Sequence, residues 1–112
     1  MIFVFTDLRS KEFALIHSAN FSNLLVKIAV DIKSKQEGLM FLKQLKDYNG
    51  MLFIYNKPQI VKFWMQNTLI PLDIIFINDK KIISSVKEGI PMEERLISSD
   101  INISAVLEIP KG

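Results

Sequence analysis

The sequence predicts an α+β domain that is mainly β: a small curled antiparallel sheet or partly open barrel with one short helical insert. Three observations carry this. Apolar residues recur with a period of two in short runs along most of the chain. Asn, Gly, Ser and Asp punctuate those runs, as they do between strands. A single segment, Ser34-Lys35-Gln36-Glu37, carries a helix-start signature instead. Many short strands of this kind close into a barrel or pack as a sandwich.

The elements follow in order. Met1-Ile2-Phe3-Val4-Phe5 is apolar, but it is shorter than the ~7–15-residue core of a secretion signal and no basic residue precedes it. No signal peptide is therefore expected in this chain. Glu12 to Ile16 and Leu24 to Val30 read as strands bounded by Ser/Asn clusters. In the capping box, Ser34 would satisfy a free helix-start amide and Glu37 would reach back; Asp31 competes for the cap. Leu39, Met40, Leu42 and Leu45 extend a partly helical spacing, so one short helix is expected between about residues 32 and 46, with a break near Gly38. Met51 to Tyr55 follows an Asn49-Gly50 turn, and Val61 to Met65, Asp73 to Ile77, Lys81 to Val86 and Ala105 to Ile109 complete the strands. Asn78-Asp79-Lys80 joins two apolar runs as a hairpin, and the hairpin 73–86 is expected at the centre of the fold.

Composition narrows the function. A chain of 112 residues, 49% apolar and without low-complexity segments, is one folded domain spanning residues 1–112. No apolar stretch approaches the ~20 residues of a membrane-spanning helix. The net charge is +2, and only Arg9 and Arg95 among fourteen cations are arginines. Arginine supplies the forks that read phosphate and guanine, so a nucleic-acid partner is not expected. With no cysteine there is no disulfide and no thiolate metal site or nucleophile. His17 has no spaced companion for a metal, so no metal site and no cofactor are expected.

One stretch stands out: Phe63-Trp64-Met65-Gln66-Asn67-Thr68-Leu69-Ile70-Pro71. On a strand, Val61, Phe63 and Met65 point to the core, and Trp64 to the polar face with Lys62 and Gln66. A half-exposed tryptophan is either a contact platform or the cover of a loop. Asn67 and Thr68 either bond their own turn or join Asp73 beside the indole as a compact ligand site. Asp73, opening the run Ile74-Ile75-Phe76-Ile77, either caps turn amides or has a raised pKa and serves as a base. Met40 follows Gly38 in a Gly-Leu-Met segment and is counted with the candidate ligand-binding residues Trp64, Asn67, Thr68 and Asp73.

Gly38-Leu39-Met40-Phe41, Gly50-Met51-Leu52-Phe53, the segment from Phe63 to Ile74, and Val106-Leu107-Glu108 together resemble a prokaryotic family, domain of unknown function 192, over about residues 24–112. The resemblance implies a small, mostly β domain with a helical insert, often behind a secretion or lipoprotein signal, and hence a periplasmic or secreted setting. Similar members carry Arg where this chain has Glu37 and Leu42, which weakens an anion-binding role through those positions. The family also usually continues past Lys111-Gly112, so an open sheet edge is expected here as a route to association.

The leading expectation is a non-enzymatic small-ligand-binding or accessory domain, whose partner is an unknown small molecule or protein. The alternatives are a small hydrolase- or lyase-type enzyme with Asp73 as base, and a structural domain docking through an open edge.

Overall fold

The computed structural model describes residues 1–21 and 23–111. Among them the elements run β1 (Val4–Leu8), β2 (Phe13–Ser18), β3 (Leu24–Ala29), α1 (Ile32–Glu37), β4 (Gly50–Gln59), β5 (Lys62–Phe63), β6 (Leu72–Ile77), β7 (Ile83–Gly89), β8 (Ile97–Ser98) and β9 (Ile103–Pro110). Seven strands form one sheet in the order β1-β2-β3-β4-β9-β6-β7, and β5 pairs with β8 separately.

The α+β, mainly β class is as expected, but the sheet is not wholly antiparallel. β3 and β4 run parallel, with Val26 opposite Gly50 and Ala29 opposite Phe53. Parallel neighbours need a crossover, and α1 with the segment 38–49 supplies it. The hairpin β6–β7 forms, but it lies at one end of the strand order rather than at the centre. The centre belongs to β9, which is paired to β4 on one side and β6 on the other. Among the described residues β9 is therefore an inner strand, and β1 and β7 are the edges of the seven-stranded sheet.

Those edges meet at one end. Phe3 bridges Ile82, the Val4 amide donates to the Lys81 carbonyl at 2.8 Å, and the Ile83 amide donates to the Ile2 carbonyl at 2.9 Å. The sheet is thus curled into a half-barrel. Its concave face gathers Val4, Ala14, Ile16, Val26, Leu52, Ile75, Ile77 and Leu107 into one core. Residues from strands so far apart in the sheet order can touch only if the sheet wraps around them. The alternate residues Met51, Phe53, Ile74, Phe76 and Val106 form a second core on the outer face, covered by Leu39, Val61, Met65, Ile70 and Ile97.

Local chemistry explains where expectation and structure part. Asp31, not Ser34, caps α1: its Oδ1 accepts the Ser34 amide and the Ser34 hydroxyl, each at 2.7 Å. The helix stops at Glu37 because Gly38 has φ 49° and ψ −128°, outside helical space. Leu39 turns down into the core instead, and Leu42 and Leu45 reach the same core from irregular chain. The expected strand 61–65 shrinks to β5, and two strands, β1 and β8, were not anticipated. In the β6–β7 turn, Asn78 Oδ1 accepts the Lys80 and Ile82 amides at 2.9 and 3.1 Å.

At Gly50, β4 lies so close to β9 that there is no room for a side chain. A Cβ there would run into the Glu108 carbonyl oxygen and lie 2.7 Å from the Ile109 Cγ2. Gly50→Ala should therefore force the two strands apart and cost about 1–3 kcal/mol. A denaturant-unfolding midpoint that does not fall would show that the strands can separate freely.

Candidate functional site

A cavity of about 800 Å³ lies on the outer face of the sheet, between α1 and its Gly38 loop on one side and β4, β5 and β9 on the other. Its chemistry follows from strand alternation. On β9, Leu107 faces the concave core, so Val106 and Glu108 face the cavity side. Glu108 is paired with Met51 on β4 and Ile74 on β6, both buried. The residue is only 5% exposed, its carboxyl opens onto the cavity, and no ion pair holds it among the described residues. Burial alone pushes it up to about 8, so it is largely a neutral acid near pH 7.

Phe53 and Tyr55 line one wall from β4. Burial raises the Tyr55 hydroxyl to about 12, with the Glu108 charge adding to it. The Lys35 ammonium stands 4.0 Å from the Tyr55 ring centroid, a cation–π contact. Burial lowers the Lys35 pKa, and Asp31 partly opposes that. Gly38 forms the ceiling: a Cβ there would lie 3.5 Å from Phe53 Cζ and 3.9 Å from Glu108 Oε1. Its φ of +49° would strain any side-chain-bearing residue. Phe63 meets Phe53 edge-on at 5.0 Å between centroids and closes the apolar end.

The structure brings some of the sequence-predicted residues together and separates others. Trp64, Thr68 and Met40 line the cavity. Trp64 is 46% exposed, while Val61 and Met65 are buried, which is the alternation expected of that stretch. Asn67 turns the chain: its φ is 59°, a conformation Asn tolerates, and its carbonyl accepts the Phe41 amide at 2.8 Å. Thr68 is buried, and its carbonyl accepts the Met92 amide at 3.0 Å. The Met65 amide in turn donates to the Glu93 carbonyl at 3.0 Å. Three loops around the mouth are thus tied through backbone groups, and Phe41 and Met92 share Asn67's positive φ at 64° each. Asp73 does not join them. It alternates with Leu72 and Ile74 and so points to the face opposite the cavity, between Glu88 and Ile109 in register. His17 is exposed and stacks on Phe5 at 5.3 Å.

The buried carboxyl at the cavity is Glu108, which the sequence analysis names within the motif Val106-Leu107-Glu108 but gives no role in a site. The available signal was a lone acid closing the apolar run Ala105-Val106-Leu107, in phase with Val106.

Comparison with known proteins accords with this geometry. The family model DUF192, described as uncharacterized ACR, matches residues 13–112. The chain belongs to the DUF192 family. The match takes in every strand from β2 onward and all of the cavity. Glu37 lines the cavity and Leu42 packs on the outer core. No curated protein matches the chain. Two solved structures resemble this DUF192 domain along its length. One is from Sinorhizobium meliloti 1021, named a "putative transcription regulator", with 32% identity and a TM-score of 0.77; the match covers 97% of this chain and 79% of that one. The other is a protein of unknown function from Novosphingobium aromaticivorans DSM 12444, with 30% identity and a TM-score of 0.75; the match covers 97% of this chain and 72% of that one.

The buried acid has a consequence for stability. The folded state keeps a proton that the unfolded chain releases above about 4.5, so stability should fall as pH rises from there to about 8. Glu108→Gln removes the titrating group but keeps its shape. Denaturant titrations at pH 5 and pH 9 should show the parent losing on the order of a few kcal/mol that the variant retains. Parallel losses in both proteins would mean that Glu108 is solvated.

Proposed function

We propose that this DUF192 domain is a non-enzymatic small-ligand-binding domain and that its site is the cavity floored by Glu108. One observation carries the proposal: the carboxyl of Glu108, a residue only 5% exposed, opens onto a cavity large enough for a small organic molecule. Trp64, Tyr55, Phe53 and Met40 surround it with the apolar and aromatic surface typical of ligand sites.

The enzyme reading has less support. Acid–base chemistry needs matched groups in one cleft, and Asp73 faces away from the cavity that Glu108 occupies. The name borne by the Sinorhizobium protein raises nucleic acid as a partner. Against this, both arginines here are engaged by carboxylates, Arg9 with Asp7 at 3.4 Å and Arg95 with Glu93 at 2.9 Å.

A thermal-shift screen of small molecules tests the proposal, since a ligand that binds only the folded state raises its melting temperature. Trp64 is the chain's single tryptophan, so hits that enter the cavity should change its emission. Trp64→Ala should stay folded, being a change at a half-exposed position, yet lose about tenfold in affinity for those hits. Hits that leave Trp64 emission untouched and bind the variant equally well would move the site elsewhere.

A further inference from the structure

The ligand's chemical class can be drawn from the charges around the cavity, an inference that rests on the binding proposal above. We infer that the cavity is built for an amphipathic anion. Its apolar or aromatic body would lie along Phe53, Phe63 and Trp64. Its anionic group would sit at the mouth among Lys35, Lys57 and Lys62, and an acceptor oxygen between the body and that group would meet Glu108.

Three features point this way. The first is the mouth. Lys35 on α1, Lys57 on β4 and Lys62 on β5 line it against Glu37 alone, and none of the three lysines is in an ion pair among the described residues. Ammonium groups outside ion pairs attract an anion and repel an amine. The second is the wall. Four aromatic rings (Phe53, Tyr55, Phe63 and Trp64) offer flat apolar surface, and Tyr55 already accepts the Lys35 ammonium on its face. That aromatic face is therefore occupied by the chain's own cation. The third is the floor. A neutral carboxyl donates one hydrogen bond and adds no negative charge, so an anion can enter above it.

These features predict opposite pH dependences for opposite ligands. The groups facing Glu108 across the cavity are Lys35 and Glu37 from α1, Tyr55 and Lys57 from β4, and Lys62 from β5. Glu108, held near 8 by burial, changes charge close to neutral pH. An anion prefers Glu108 protonated and binds more weakly as pH rises through that value. A cation prefers it ionised and binds more tightly.

The test uses two matched pairs: N-benzoyl-β-alanine with N-(2-aminoethyl)benzamide, and N-octanoyl-β-alanine with N-(2-aminoethyl)octanamide. Within each pair the body and the amide carbonyl are the same, and only the charge differs. Calorimetry on the full chain should show the carboxylates binding more tightly than the amines. Carboxylate affinity should fall about tenfold between pH 7 and pH 9. Glu108→Gln, still neutral and still a donor, should bind the carboxylates without that pH dependence. The double variant Lys35→Gln/Lys62→Gln should bind them about tenfold more weakly with little change in melting temperature. Tighter binding of the amines, or carboxylate affinity that rises with pH, would overturn the anionic class and leave the cavity as the binding site. If neither pair bound while other hits still perturbed Trp64, the class alone would again fall. If nothing of any class bound, the binding proposal would fall with it.

Discussion

Strand β9 is hydrogen-bonded to β4 along one side and to β6 along the other, and each of its faces belongs to a different core. Leu107 must point into the concave face, while Val106 and Glu108 must point outward. A slip of one residue would bury Glu108 inside the half-barrel and turn Leu107 out of the concave core. The register is held by ladders on both sides, and a side chain at Gly50 would run into the Glu108 carbonyl. The outer core, the cavity floor and the curl of the sheet all follow from that fixed register.

Much of this was legible in the sequence, for physical reasons that can be named. Alternation assigned Val61, Phe63 and Met65 to the core and Trp64 to the outside, because side-chain direction in extended chain is a local property. The break at Gly38 was legible for the same reason. What could not be read was long-range pairing. Nothing local in Ile103 to Pro110 says that it lies between β4 and β6, or that β3 and β4 run parallel. The choice between Asp31 and Ser34 as cap also turned on where the chain enters the helix, which is set by β3.

Asp73 and Glu108 show the limit most clearly. Each is a single carboxylate adjoining a run of branched apolar residues, and in isolation the two look alike. They differ in phase. Asp73 is out of step with Leu72, Ile74 and Phe76, whereas Glu108 is in step with Val106, and the latter set faces the cavity. Period two tells which residues share a face; only the completed sheet tells which face is covered by α1 and the Gly38 loop. The motif around Trp64 is accordingly both corner and wall. Asn67 makes the turn, and Trp64 and Thr68 stand at the cavity.

The loops at the mouth are fastened by backbone groups: the Phe41 amide to the Asn67 carbonyl, the Met92 amide to the Thr68 carbonyl, and the Met65 amide to the Glu93 carbonyl. Main-chain bonds do not depend on which side chain is attached. Phe41 and Met92, 70% and 53% exposed, can therefore be exchanged for other residues that accept a left-handed backbone without undoing the frame. Chain length has no such freedom, since removing one residue from any of these loops would carry a donor away from its acceptor. For a protein engineer, or for drift over generations, the mouth is a surface whose lettering can be rewritten while its spacing cannot.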